Sequence, residues 1–152
     1  MLSSHQATNQ SVPPFTPQPG DALNSSRHGS AALRWLETMR APEQWALSVD
    51  EQCQLLGGIP KRTFQSWKKK ALAGEDVELS RDVMERLSLL LGIYKAYQLV
   101  APSSRSGVGC EWFRTPNQHH LFQGQTVKDY LLKTGTMNAL YTVRRYLDAA
   151  RG

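Results

Sequence analysis

An all-α fold is predicted for this 152-residue chain from three features of its sequence. Apolar residues recur at helical spacing, serine or threonine stands before several of these runs, twice with an acidic residue three positions on, and no stretch alternates strictly between turns as a strand would. The expected organisation is an arm without a fold of its own at 1–29, a helix-turn-helix domain at 30–101, a linker at 102–110 and a small helical domain at 111–152.

Residues 1–29 are rich in Ser, Gln, Asn and Pro, and after Met1-Leu2 their only large apolar side chains are Val12, Phe15 and Leu23. Such a stretch buries too little surface to offset its ordering entropy, so a disordered arm is expected, either without a role or ordering on a partner or on DNA. Order is expected to begin at Ser30, as the cap of a helix carrying Leu33, Trp35 and Leu36 that Pro42 ends. Ser48 with Glu51 forms a capping box for a second helix, whose Val49, Cys53 and Leu56 share a face and which stops at Gly57-Gly58. Pro60 suits the first turn of a third helix, where its missing N–H is harmless, and Phe64, Trp67 and Ala71 form its packing stripe.

A long fourth helix is predicted from the cap Ser80 to about Val100, buried along Val83, Leu87, Leu90, Leu91, Tyr94 and Tyr97 and ended by Ala101-Pro102. The run from Pro102 to Gly109 reads as a loop or hinge. Two or three short helices follow. Thr126 with Asp129 starts one carrying Val127, Tyr130 and Leu131, and Gly135 separates it from another with Met137, Leu140, Tyr141, Arg144 and Leu147.

Composition limits the function classes. A chain of this length holds one ordinary domain or two small ones sharing a core, and an enzyme with its own deep cleft would be cramped. Eighteen Lys and Arg against thirteen Asp and Glu give a formal charge of +5, which suits an anionic partner. Cys53 and Cys110 fit neither a disulfide framework nor a zinc spacing. With no run apolar enough for a membrane span and no secretory signal, a soluble cytoplasmic protein is expected, with no membrane partner.

The segment from Ser48 to Lys70 has the form of a helix-turn-helix, in which the second helix enters the major groove. Gly57-Gly58-Ile59 supplies the turn, and Ile59, Phe64 and Trp67 anchor the second helix. Its opposite face carries Lys61, Arg62, Gln65, Ser66 and Lys69. Arg62 and Gln65 match guanine and adenine edges, while Lys61, Lys68, Lys69 and Lys70 suit phosphates. No acidic residue lies between Gln52 and Gly74, so the cations of Lys61 to Lys70 lack a local counter-charge. The same pattern also fits a solvated basic helix in a bundle that meets no nucleic acid.

The C-terminal stretch begins Glu111-Trp112-Phe113-Arg114-Thr115-Pro116-Asn117, continues through Leu121-Phe122-Gln123-Gly124-Gln125-Thr126 and Asp129-Tyr130-Leu131-Leu132-Lys133-Thr134-Gly135, and closes Val143-Arg144-Arg145-Tyr146-Leu147-Asp148-Ala149-Ala150-Arg151-Gly152. This arrangement resembles the toxin-binding domain of the Xre/MbcA/ParS family of bacterial antitoxins, strongly from Glu111 to Gly152 and moderately from Trp45 to Val100, where relatives look like Xre-type repressors. Val127 stands where relatives often have proline.

The resemblance implies an antitoxin of a type II toxin-antitoxin system. Its partner would be a cognate RES-domain toxin, encoded beside this gene, that acts on nicotinamide adenine dinucleotide by degrading it or by using it for ADP-ribosylation. The C-terminal domain would cover the toxin's active site, with Trp112, Phe113, Asn117, Arg144, Arg145, Tyr146, Leu147, Arg151 and Gly152 as the toxin-binding residues. The first domain would bind operator DNA as a homodimer, within a higher-order complex with toxin, and repress the operon. The alternatives from the residues alone stay open: Trp112 can plug a core, and Arg144 and Arg145 can sit on a solvated helix end that favours cations.

Two other classes remain. One is a plain helix-turn-helix repressor whose C-terminal helices dimerise or sense a ligand. The other is a small hydrolase or metal protein built on Cys110, His119 and His120, but nothing supplies an oxyanion hole and a second pair of zinc ligands is missing. A binding protein is expected, with no catalytic residue, no cofactor and no metal.

Overall fold

The computed structural model of the chain describes residues 25–100 and 108–151. Those residues form seven helices and no strand: α1 Ser25–Thr38, α2 Val49–Leu55, α3 Lys61–Leu72, α4 Arg81–Val100, α5 Val108–Arg114, α6 Val127–Thr134 and α7 Met137–Arg151. The fold is all-α, as expected from the sequence.

The first helix starts earlier than predicted. Ser30 is not its cap but a buried residue inside it, where its hydroxyl accepts a 2.8 Å hydrogen bond from Arg34 Nη1. The turn before it docks on the segment leading into α4: the Ser26 carbonyl accepts from the Val77 amide at 3.0 Å, and a Cβ at Gly29 would lie 3.0 Å from Leu79 Cδ1 and 3.2 Å from the Val77 carbonyl oxygen. Tertiary contact thus extends the helix to Ser25, and the boundary expected at residue 29 falls inside α1. The rest of the proposed arm, 1–24, lies outside the described residues. Arg34 also donates to the Ala71 carbonyl at 3.1 Å, joining α1 to the C-terminal turn of α3.

The capping box of α2 forms as the sequence predicts. The Glu51 amide donates to Ser48 Oγ at 3.1 Å and the Ser48 amide to Glu51 Oε1 at 2.9 Å. Gly57 and Gly58, at φ +100° and +82°, reverse the chain after α2, a backbone region open to glycine. Pro60 is the N-cap of α3 rather than its first helical residue. Phe64 and Ala71 are buried and Trp67 is packed against the core. Ser80 caps α4, its Oγ accepting from the Val83 amide at 3.2 Å, and Val83, Leu87, Leu90 and Leu91 are buried along it.

The predicted linker is partly helical. Val108, Gly109 and Cys110 open α5, while 101–107 lie outside the described residues. What makes this a helix is its inward side. Phe113 stacks on Trp45 with ring centroids 4.0 Å apart and planes 11° from parallel, the Cys110 thiol meets Gln44 Oε1 at 2.9 Å, and Arg114 Nε donates to the Gln44 carbonyl at 2.6 Å. Thr126 caps α6 by accepting from the Asp129 amide at 2.9 Å, and Gly135, at φ +64°, ends it. In α7 the buried stripe is Ala139, Leu140, Val143 and Leu147, whereas Tyr141 is exposed and donates to the Glu85 carboxylate.

One continuous apolar core runs through both halves, from Leu33 and Leu36 of α1 through Trp45 and α4 to Phe122, Leu131 and Leu147. The most extensive helix pairing is between α4 and α7, and α2 packs between α3 and α6.

Candidate functional site

Two surfaces collect the residues singled out from the sequence. The first is the outer face of α3. Arg62, Gln65, Ser66 and Lys69 are exposed on it, at spacings that put them on one side of a helix. Phe64 and Ala71 hold the opposite side in the core. No ion-pair partner stands beside Arg62, Lys69 or Lys70 among the described residues.

Two cations of this helix are less free than the sequence suggests. Lys68 Nζ pairs with Glu37 of α1 at 3.2 Å, its side chain mostly covered, and lies 5.6 Å from the Phe64 ring centre. Lys61, exposed on the surface, stands 3.5 Å from Asp50. The counter-charges missing from the local sequence are therefore supplied by other helices. Lys68 belongs to the packing between α1 and α3 rather than to the outer face, which corrects its assignment as a phosphate contact.

The second surface is in the C-terminal half. Phe122 is buried at its centre, with Trp112, Tyr130 and Tyr146 edge-on to it at 6.4, 5.4 and 5.4 Å. Trp112 stacks in turn on Tyr97 of α4, centroids 4.5 Å apart. His119 stands 4.8 Å from Tyr146. Asn117 closes the loop between α5 and α6: its amide donates to the Gln125 carbonyl at 3.0 Å, its own carbonyl accepts from Gly124 at 2.8 Å, and its Oδ1 accepts from the His119 amide at 2.9 Å. Trp112 and Tyr146, 34 positions apart in the sequence, thus meet through Phe122, whose loop Asn117 closes. Burial, then Tyr146 and Glu111, push the Tyr97 phenol above its usual range, so it remains a protonated hydroxyl at neutral pH. Leu99, two residues beyond Tyr97 on α4, is 67% exposed.

Two expected toxin-binding residues do not lie on this surface. Phe113 and Leu147 are buried in the common core, because α5 must cover Trp45 and α7 must cover α4. Arg145 is exposed and, among the described residues, makes a single 3.5 Å contact from its Nη2 to Thr142 Oγ1. Arg144 turns to the α4 side, its Nε donating to Asp148 Oδ2 at 3.2 Å. Arg151 is the last residue of α7, and its side chain and Gly152 lie outside the described residues.

The residue that ties these surfaces together, Arg86, gave no signal in the sequence beyond an acidic neighbour four positions before it. Its Nε pairs with Asp82 at 3.0 Å, and its Nη1 donates to the Gly135 carbonyl at 2.9 Å and, more weakly, to Leu55 at 3.5 Å. Lys128 makes a second bridge, pairing with Glu51 Oε1 at 2.9 Å and donating to the Ala46 carbonyl at 3.0 Å. Gln54 adds a third, donating to the Leu132 carbonyl at 2.7 Å. The two helices of the candidate helix-turn-helix are held through α2 to α6.

His119 and His120 lie ring to ring at 4.3 Å on the surface loop, while Cys110 is buried against Gln44. Burial pushes the Cys110 thiol up, opposed by Arg114, which is the reverse of what a nucleophile needs. Among the described residues no three His, Cys, Asp or Glu side chains gather as a metal would require, and no helix is long and apolar enough to cross a membrane.

These features define an all-α protein with a basic helix face on one half and an aromatic, Arg-flanked surface on the other. The uncharacterized protein y4oB of Sinorhizobium fredii (strain NBRC 101917 / NGR234) is 39% identical to it over 113 residues, 74% of this chain and 80% of that protein. The chain belongs to the family of y4oB. No family profile matches it, and no solved structure matches it significantly.

Proposed function

We propose that this protein is a cytoplasmic antitoxin that neutralises a RES-domain toxin acting on nicotinamide adenine dinucleotide, and that it represses its own operon through α3. The observation that carries this reading is the packing of Trp112 and Tyr146 on Phe122, whose loop Asn117 closes, with Arg145 exposed just before Tyr146 on α7. Aromatic and Arg side chains with one face supported and the other open are the usual anchors of a protein interface. The toxin meets this surface, and Arg145 pairs with a carboxylate that otherwise serves the toxin's own site.

The exposed row of Arg62, Gln65, Ser66 and Lys69 supports the second role. Arg62 and Gln65 read base edges, while Ser66, Lys69 and Lys61 contact phosphates. A homodimer presents two such helices to paired half-sites.

The test is growth and intracellular dinucleotide in cells expressing the adjacent RES-domain gene, with and without this protein. A fall in dinucleotide that wild type reverses and Arg145→Glu does not is the expected result. Toxicity indifferent to this protein, or a harmless neighbour, overturns the antitoxin reading and leaves the plain repressor, supported by the α3 face alone.

A further inference from the structure

Helix α4 carries a glycine well inside its length, at Gly92. Glycine is among the poorest helix formers, so an interior one calls for a packing reason. The neighbouring helix supplies it. A Cβ at Gly92 would overlap Arg144 Nη1 and would lie 3.2 Å from Arg144 Cζ and 3.6 Å from its Cδ. The guanidinium of Arg144 therefore occupies the space that a side chain on α4 would fill. On its other side its Nε is held by Asp148 Oδ2 at 3.2 Å. The Arg144 side chain is still 33% exposed.

An arginine so held differs from one waving on a surface. Its long side chain has already lost most of its rotamer freedom in the folded protein, so binding an anion costs little further ordering. Nε is occupied by Asp148 and Nη1 lies against Gly92, which leaves the Nη2 hydrogens as donors in a fixed direction for a carboxylate.

We infer that Gly92 is a positioning residue for Arg144, a notch in α4 that presets the guanidinium at the α4–α7 seam to receive a carboxylate of the docked partner protein. This rests on the antitoxin reading above. It adds a second Arg contact beside Arg145 and assigns it a support from the other half of the chain.

The substitution that tests it is Gly92→Ala. The atom it displaces is the far end of a flexible side chain, so the fold can absorb the methyl group while Arg144 must leave its seat. Alanine also raises the helix propensity of α4. Calorimetric titration of the full chain with the purified RES-domain toxin from the adjacent gene is run for wild type, Gly92→Ala, Arg144→Ala and the double variant, beside thermal melts. The expected result is a Gly92→Ala protein that melts no lower than wild type yet binds toxin about tenfold or more weakly. In the Arg144→Ala background the same change should alter affinity by less than about twofold.

Wild-type affinity in Gly92→Ala overturns the role of Gly92 while leaving the antitoxin reading standing, and so does an equal further loss in the Arg144→Ala background. Absence of binding by wild type overturns the antitoxin reading and the partner carboxylate together. Should Gly92→Ala melt well below wild type, Asp148→Ala releases the same guanidinium without touching α4. Weakened toxin binding there supports the proposal, and unchanged binding overturns it.

Discussion

Arg86 donates to the carbonyl of Gly135 at 2.9 Å, so a side chain from the middle of the chain closes the C-terminal end of α6. The same guanidinium reaches the Leu55 carbonyl at the end of α2 and the Asp82 carboxylate on its own helix. Carbonyls at helix ends lack intrahelical donors and carry partial negative charge, and a cation set between two of them satisfies both needs.

Replacing Arg86 by methionine keeps much of its bulk and removes those donors. The expected loss is about 2 kcal/mol of unfolding free energy, the range for hydrogen bonds to a charged group with the acceptors left partly covered. Urea denaturation followed by helical circular dichroism measures it, and an unchanged midpoint refutes the closing role.

Phe113→Ala and Trp112→Ala separate core from surface at adjacent positions. Phe113 is buried and stacked on Trp45, so its truncation should cost about 3 to 5 kcal/mol. Trp112 is only partly buried, with Tyr97 stacked on its face and Phe122 edge-on to it. Its truncation should cost clearly less stability and more toxin affinity. Equal destabilisation of the two variants would show that Trp112 is a core residue as well.

For DNA, Arg62→Ala should weaken operator binding by about 1 to 3 kcal/mol and relax sequence preference. Lys69→Ala should weaken all duplexes alike and flatten the salt dependence. Lys68→Ala should leave the salt slope near the parent value and lower thermal stability instead, because its ammonium is engaged with Glu37. Binding isotherms at several salt concentrations distinguish the three, and a Lys68 variant with the largest drop in slope contradicts the burial argument.

Glu51 serves two partners through one oxygen, the Ser48 amide and the Lys128 ammonium. Ser48→Ala should cost about 1 kcal/mol through the lost cap. Glu51→Gln preserves an acceptor for the Ser48 amide but gives up the charge on Lys128, so the two losses should be resolvable in a double-mutant cycle with Lys128→Met. A zero coupling between Glu51 and Lys128 would make their contact incidental.

Both cysteine thiols are pushed above their ordinary range, Cys110 by burial against the opposing pull of Arg114, and Cys53 by burial and by Asp50. A raised folded-state pKa favours the protonated thiol. Its contribution is complete below the unfolded-state value and is lost as pH rises through the folded-state one, so the effect falls on the alkaline side only. Neither thiol should react readily with a disulfide reagent at pH 8 until the protein unfolds. Rapid labelling of Cys110 in the native state would contradict its burial.

The caps at Ser48, Ser80 and Thr126 could be read in the sequence because a cap acts on an amide three residues away, within the window any local pattern covers. Ser30 misled for the complementary reason: its hydroxyl is used by Arg34, and the helix start is decided by contact with Val77 and Leu79, some fifty residues on. The glycines around Val108 read as a hinge, while the helix they open is held by Trp45 and Gln44, which no local pattern joins to it. At the candidate sites the residue types were legible and their environment was not. Lys68 meets its counter-charge on another helix, and Phe113 and Leu147 carry the same apolar signature as an interface anchor until the core is assembled around them.

The continuous core has a bearing on the protein's lifetime. Because α4 supports α1, α5 and α7 together, loss of its packing exposes apolar surface in both halves at once. A protease that waits for local opening therefore finds few intermediate states in which one half survives the other. The basic face of α3 and the aromatic surface are lost on a single clock, and any ligand that binds only the folded C-terminal helices would prolong the basic face by the same mass-action factor.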